Sequence, residues 1–181
     1  MITELVPPQP FTVQVQGEED LNPAERKALQ EYRQKVSRLQ KAVLGATEVV
    51  DSTAALLAQI QLAVQDAPKA TPKLREETLT LQKRLREIDL ALRGDNTASI
   101  RVEPTPTSIT RRVSDVTFSQ ISSPLMPTQT RQDSYKIAAA EFAEVLTKLR
   151  VLVQTDLPKL QKALDAADVP HTPGRFPSWK D

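Results

Sequence analysis

The sequence predicts an all-α fold: an elongated antiparallel three-helix bundle with one interrupted leg, flanked by a short N-terminal extended strand and an extended C-terminal tail. Three observations carry this. From Leu29 to Val64 the apolar positions step by three and four residues without a slip, through Leu29, Tyr32, Val36, Leu39, Val43, Ala46, Val50, Thr53, Leu57, Ile60 and Val64. That alternation keeps an apolar stripe on one side of a long helix, where it faces other helices. Beside it, Ala28, Ala42, Val49, Leu56 and Ala63 recur at multiples of seven residues and widen the stripe to three apolar positions per heptad, enough for two neighbours. Further periodic segments follow, separated by proline, glycine and serine signals.

Residues 1–21 read as an N-terminal arm. Pro7-Pro8-Gln9-Pro10 is incompatible with a helix, and Phe11 to Gln16 alternates apolar and polar residues as a half-buried strand does. A lone strand has nothing to pair with, so this one reads as the last strand of a preceding β domain, or as an arm lying on the bundle.

The helical region spans residues 22–169. Helix one starts at Pro23, with Asn22 as its cap and Glu25 in the first turn. It ends near Gln65, before Asp66-Ala67-Pro68, for a length of roughly 65 Å at 1.5 Å per residue. Helix two follows Thr71-Pro72, carries Leu74, Thr78, Leu81, Leu85, Ile88 and Leu92, and stops at Gly94. The polar, proline-bearing stretch from Asp95 to Thr107 reads as an extended connector. Ile109, Val113 and Val116 fit a short third helix ended by Ser122-Ser123-Pro124.

A long fourth helix opens after Pro127, capped by Thr128 or Thr130. Its seam is Tyr135, Ala139, Phe142, Leu146, Leu149 and Val153, with Ala138, Val145 and Leu152 as a flanking stripe. Beyond Pro158 the apolar face shifts by one position to Leu157, Leu160 and Leu164, which predicts a kink or restart. Helices one and four form full-length legs, and helices two and three in tandem form the third. A four-helix bundle, with helix three folded back, is the alternative. Residues 170–181 form a proline-rich tail holding the only tryptophan.

The composition excludes several function classes. With 24 basic and 23 acidic residues the net charge is +1, so no global field gathers nucleic acid, which is not expected as a partner. The chain contains no cysteine and one histidine, His171. A thiolate metal site, a cysteine nucleophile and a two-histidine metal site are thereby excluded. The apolar runs fall short of a membrane span. Met1 leads into Ile2-Thr3-Glu4-Leu5 and prolines, without a signal peptide, as expected of a cytoplasmic chain or of a piece of a longer one.

Candidate chemical groups all have a simpler structural reading. Glu76 and Glu77 diverge by about 100° on a helix and serve as partners for a helix N-terminus rather than as an acid/base pair. Arg111-Arg112 and Lys83-Arg84 with Arg86 lack interleaved aromatic residues and read as solvated faces. Gly94 and Gly174 mark turns, and no phosphate-binding loop is present. No catalytic, cofactor-binding or metal-ligating residue is assigned, and no cofactor is expected. The candidates for interaction or docking are Arg175, Phe176 and Trp179 in the tail, where a proline-restrained segment loses little entropy on docking and a buried tryptophan contributes a few kcal/mol.

Three blocks carry a family resemblance: Gly94-Asp95-Asn96 with Arg101-Val102-Glu103-Pro104-Thr105-Pro106 and Ile109 to Val113; Pro127 to Tyr135; and Asp156-Leu157-Pro158, Leu160 and Leu164 with Thr172-Pro173-Gly174-Arg175-Phe176-Pro177-Ser178-Trp179. Together, over roughly residues 10 to 181, they resemble the C-terminal helical region of large bacterial proteins whose body is a sortilin-type, sialidase-like β-propeller with BNR repeats, described as glycosyl hydrolases. The resemblance implies that a propeller and a small β-sandwich precede the helices and that Phe11 to Gln16 is the sandwich's final strand. It also implies a secreted or periplasmic parent, with any hydrolytic site in the propeller and none here. The junction Glu18-Glu19-Asp20-Leu21-Asn22-Pro23 departs from the Asp-Pro-Arg-Val type common in relatives. The expected function is therefore a non-catalytic accessory domain that braces a larger protein or offers it a docking surface. The alternative is a free-standing helical adaptor or oligomerisation module.

Overall fold

The computed structural model describes residues 9–13, 21–121, 123 and 125–175. Among them the regular structure is helical throughout: α1 (Pro23–Asp66), α2 (Pro72–Arg93), α3 (Asn96–Ile100), α4 (Ile109–Ile121), α5 (Gln129–Val151), a π-helical turn (Leu152–Asp156) and α6 (Leu157–Ala166). Residues 9–13 adopt no strand, and Phe11 and Val13 are exposed. The rest of the anticipated strand, residues 14–16, lies outside the described residues.

The start of α1 is fixed by a reciprocal cap. The Asn22 side chain accepts from the backbone N–H groups of Ala24 and Glu25, each at 3.0 Å, while Glu25 accepts from the Asn22 N–H at 2.9 Å. These bonds satisfy donors that a helix start otherwise leaves open. Along α1 every anticipated seam residue is buried except Tyr32 and Leu39, which are half-buried. The Tyr32 ring meets Tyr135 edge-on at 5.8 Å, and its hydroxyl donates to the Arg131 carbonyl at 3.3 Å. Tyr32 therefore needs a partly polar position, not a dry one.

All six anticipated seam residues of α2 are buried. The Thr71 hydroxyl accepts from the Leu74 N–H at its start, and Gly94 ends it at φ 83°, in the left-handed region that favours glycine. After Gly94 the anticipated extended connector contains a single helical turn, α3. Asp95 accepts from the N–H groups of Thr97 and Ala98, at 2.8 and 3.1 Å, and this local cap draws the backbone into a turn before Pro104 and Pro106 straighten it.

The buried line of α5 is Ala138, Phe142, Val145 and Leu149, continued by Leu152 in the π-turn. The core line thus combines the whole anticipated flank, Ala138, Val145 and Leu152, with Phe142 and Leu149 of the anticipated seam. Tyr135, Ala139, Leu146 and Val153 are half-buried at its edge. Thr128 caps α5 by position but without a side-chain hydrogen bond.

At Pro158 the chain neither breaks nor kinks into a loop. Proline has no N–H for the Gln154 carbonyl, and the Leu157 N–H reaches back five residues to the Leu152 carbonyl. The π-turn absorbs one extra residue, and Leu157, Leu160 and Leu164 are thereby rotated back into the core.

Cross-helix bonds set the directions. Gln82 donates to the Leu57 carbonyl and to Gln61, and Arg93, farther along α2, pairs with Asp51, so α2 runs back along α1. Tyr32 meets the start of α5, and Lys69, just past α1, pairs with Asp168 beyond α6, so the α5–α6 leg runs with α1. A continuous apolar cluster links α1, α2, α4, α5 and α6. α1 also contains an 18-residue window of mean hydropathy 1.3, long and apolar enough to cross a membrane by length and composition. Reading uninterrupted apolar runs misses this window because Glu48 and Asp51 break them. The central helix of a water-soluble bundle has the same character, and the seam of α1 packs against other helices.

Candidate functional site

α2 and the α5–α6 leg meet along a seam that does not close at the surface. At one end lies an open groove of about 580 Å³, lined by Lys73, Glu76, Glu77, Thr80, Leu81 and Arg84 from α2 and by Asp156, Lys159, Leu160 and Ala163 from the other leg. It adjoins a depression of about 430 Å³ that shares Lys73, Glu77 and Ala163 and extends to Lys69 and Ala167. In the other direction, Arg84 borders a smaller recess with Ile88, Val145 and Lys148, and this passes into a wider one at Gly94, Ser108 and Ile109. The grooves share their edges, so together they form one discontinuous channel along the helix pair.

The floor and rim have distinct origins. Leu81, Leu160 and Val145 belong to the buried seams, and their edges form an apolar floor. The rim comes from the next positions around each helix. There cations and anions alternate: Lys73 faces Glu77 at 3.9 Å one turn away, and Arg84 donates to Asp156 across the groove at 2.7 Å. No anionic or cationic field results, so the channel favours an amphipathic surface over a small ion. Among the described residues no group of three or more histidine or acidic side chains comes together as a metal site.

The sequence candidates are dispersed. Glu76 and Glu77 lie past the first turn of α2 on the groove rim, rather than at the helix N-terminus where they were expected. Arg84 is the residue that sequence reading undervalued. It spans the groove to Asp156, 72 positions away, and no local pattern announces that pairing. Arg111 pairs within its helix with Asp115, and Arg112 reaches Glu141 at 3.8 Å. His171 is exposed.

Of the tail candidates, Arg175 is 8% exposed. Its guanidinium pairs with Asp165 and donates to the Pro170 carbonyl at 2.9 Å and the Val169 carbonyl at 3.4 Å. Its charge is thus engaged within the chain. Phe176 and Trp179 lie outside the described residues.

Compared with protein-family models, curated proteins and solved structures, the chain matches none of them.

Proposed function

We propose that this chain is a non-catalytic helical module whose helices form an elongated three-legged antiparallel bundle, with α2 and α4 in tandem as the interrupted leg. Its work is to present the α2/α5–α6 channel to another protein surface. The observation that carries this reading is the channel itself: an apolar floor with an alternating charged rim, running between two helices over most of the length of α2. Such a surface accommodates the apolar face of an amphipathic helix, with side chains three and four residues apart entering the floor. The resemblance to the helical end of sortilin-type propeller proteins supports placing the partner in a preceding β-propeller or β-sandwich of the same parent, which would make the module a brace and its location extracytoplasmic.

The test is chemical cross-linking of the full chain in its native extract, followed by identification of the cross-linked peptide, with Ala163→Arg as the groove-filling variant. Ala163 lines both adjoining depressions at this end of the channel. A partner joined to groove residues and lost with Ala163→Arg supports the proposal. A partner joined elsewhere and retained by the variant overturns it. Small-angle scattering checks the shape, for which α1 alone, at 44 residues, requires a maximum dimension of at least about 65 Å.

A further inference from the structure

Beyond α6 the chain closes into a buried turn. Asp168, at φ 54°, pairs with Lys69 just past the end of α1. Gly174, at φ 86°, lies against Leu56 of α1, whose methyl carbons a Cβ built on the glycine would meet at 3.6 and 3.7 Å. The Arg175 N–H donates to the Thr172 carbonyl at 3.1 Å and so closes a four-residue turn. Thr172 and Arg175, its first and last residues, are 3% and 8% exposed. Two polar side chains are thus withdrawn from bulk solvent within one turn.

Both side chains keep an unpaired atom. Nη1 of Arg175 donates to the Pro170 and Val169 carbonyls, and Nη2 donates to Oδ1 of Asp165. Nε–H shares an edge of the guanidinium with Nη2, the edge that can take both oxygens of a carboxylate in a bidentate pair. Asp165 occupies only the Nη2 half of it. Among the described residues Arg175 Nε is buried without a hydrogen-bond partner, and so is Thr172 Oγ1. Buried polar groups are nearly always paired, and each one left unpaired costs its desolvation.

We propose that this turn is a binding site for one buried water molecule, which accepts from Arg175 Nε–H and donates to Thr172 Oγ1 and to the second carboxylate oxygen of Asp165. About three hydrogen bonds are usual for an internal water. The charge balance selects water over other small ligands. Asp165 already neutralises Arg175, so an anion would meet a carboxylate, and Nε–H offers a cation no lone pair. Through Asp165 the water ties the turn to α6, and the turn seats Gly174 on Leu56. The ligand therefore fastens the chain beyond α6 to both full-length legs.

Thr172→Val keeps the side-chain shape and removes the hydroxyl, so the sign of its effect is diagnostic. With the water in place the substitution strips it of a partner, and the full chain should melt about 2–4 °C lower. A hydroxyl buried without a partner would instead be relieved by valine, and the chain would melt higher. A crystal structure of the full chain should show an ordered water within hydrogen-bond distance of both Arg175 Nε and Thr172 Oγ1. That water should be retained in Thr172→Ser and lost in Thr172→Val. An unchanged or higher melting temperature for Thr172→Val overturns the proposal. So does density without a water joining the two side chains, including density in which Asp165 pairs with Nε and Nη2 through both of its oxygens.

Discussion

Nη1 of Arg84, midway along α2, donates to Asp156 at the end of the π-turn across 2.7 Å, in a groove where the Asp156 side chain is 23% exposed. The pair joins the helix that forms one wall of the channel to the irregular turn that forms the other. Because both groups retain contact with water, its strength falls toward the surface-pair range. A double-mutant cycle with Arg84→Ala and Asp156→Ala should give a coupling energy of about 1 kcal/mol, declining at high salt. Denaturant melts of the four variants measure it, and additive effects would show that the contact contributes nothing.

The π-turn predicts an asymmetry between deletion and insertion. Removing the exposed Gln154 deletes the residue that the wide turn absorbs, so a continuous α-helix keeps Leu157, Leu160 and Leu164 facing inward. Adding an alanine at the same place rotates all three outward by about 100°. The deletion should change the melting temperature little, while the insertion should cost several kcal/mol, on the scale of buried leucine truncations. Thermal melts followed by circular dichroism separate the two outcomes.

The Arg93 hydrogen bond to Asp51, at 2.6 Å, holds that carboxyl below its ordinary value of 3.8, with the charge of Arg93 acting in the same direction against a desolvation penalty. A lowered folded-state pKa means stability that is present above the unfolded value and is lost as pH falls through the folded one. The contribution should therefore persist at neutral pH and begin to fall only below about pH 4, declining progressively as the carboxyl takes up its proton in the folded chain. In an NMR titration, Arg93→Ala should return the Asp51 carboxyl toward the ordinary range. An unchanged midpoint would contradict this.

Asp165→Asn removes the anion that pairs with the buried Arg175, leaving its guanidinium held by the Val169 and Pro170 carbonyls alone. An undercompensated buried cation is costly, and about 1–3 kcal/mol should be lost. Proteolysis should then cut between residues 169 and 175 faster than in the unsubstituted chain. Arg175→Met, which keeps the packing without the charge, should recover part of that loss. Equal stability of all three chains would show that the turn is held by packing alone.

The long-range order of the seams was legible in the sequence because it depends only on helical periodicity and end signals. The Leu74 to Leu92 seam, and the Leu29 to Val64 seam apart from the half-buried Tyr32 and Leu39, are buried as their spacing requires, and Asn22, Thr71 and Gly94 act within one turn of themselves. The exact centre of the α5 stripe was not legible. Leu146 and Leu149 are both leucines at helical spacing, and only the positions of α1 and α2 decide that Leu149 is core while Leu146 is edge.

By itself, then, the sequence determined where α1, α2, α4 and α5 begin, which side of α1 and α2 is apolar, and that the face must shift at Pro158, but not the single turn of α3. These follow from local sterics, backbone hydrogen bonding and a 3.6-residue repeat. Tertiary structure alone decided that the shift is a π-turn, that Arg84 meets Asp156, that Arg175 turns inward to Asp165, and that α2 and the α5–α6 leg leave a channel between them. Each depends on the distance between residues far apart in the chain. That distance is set by the packing of whole helices, and no repeat or cap in the sequence encodes it.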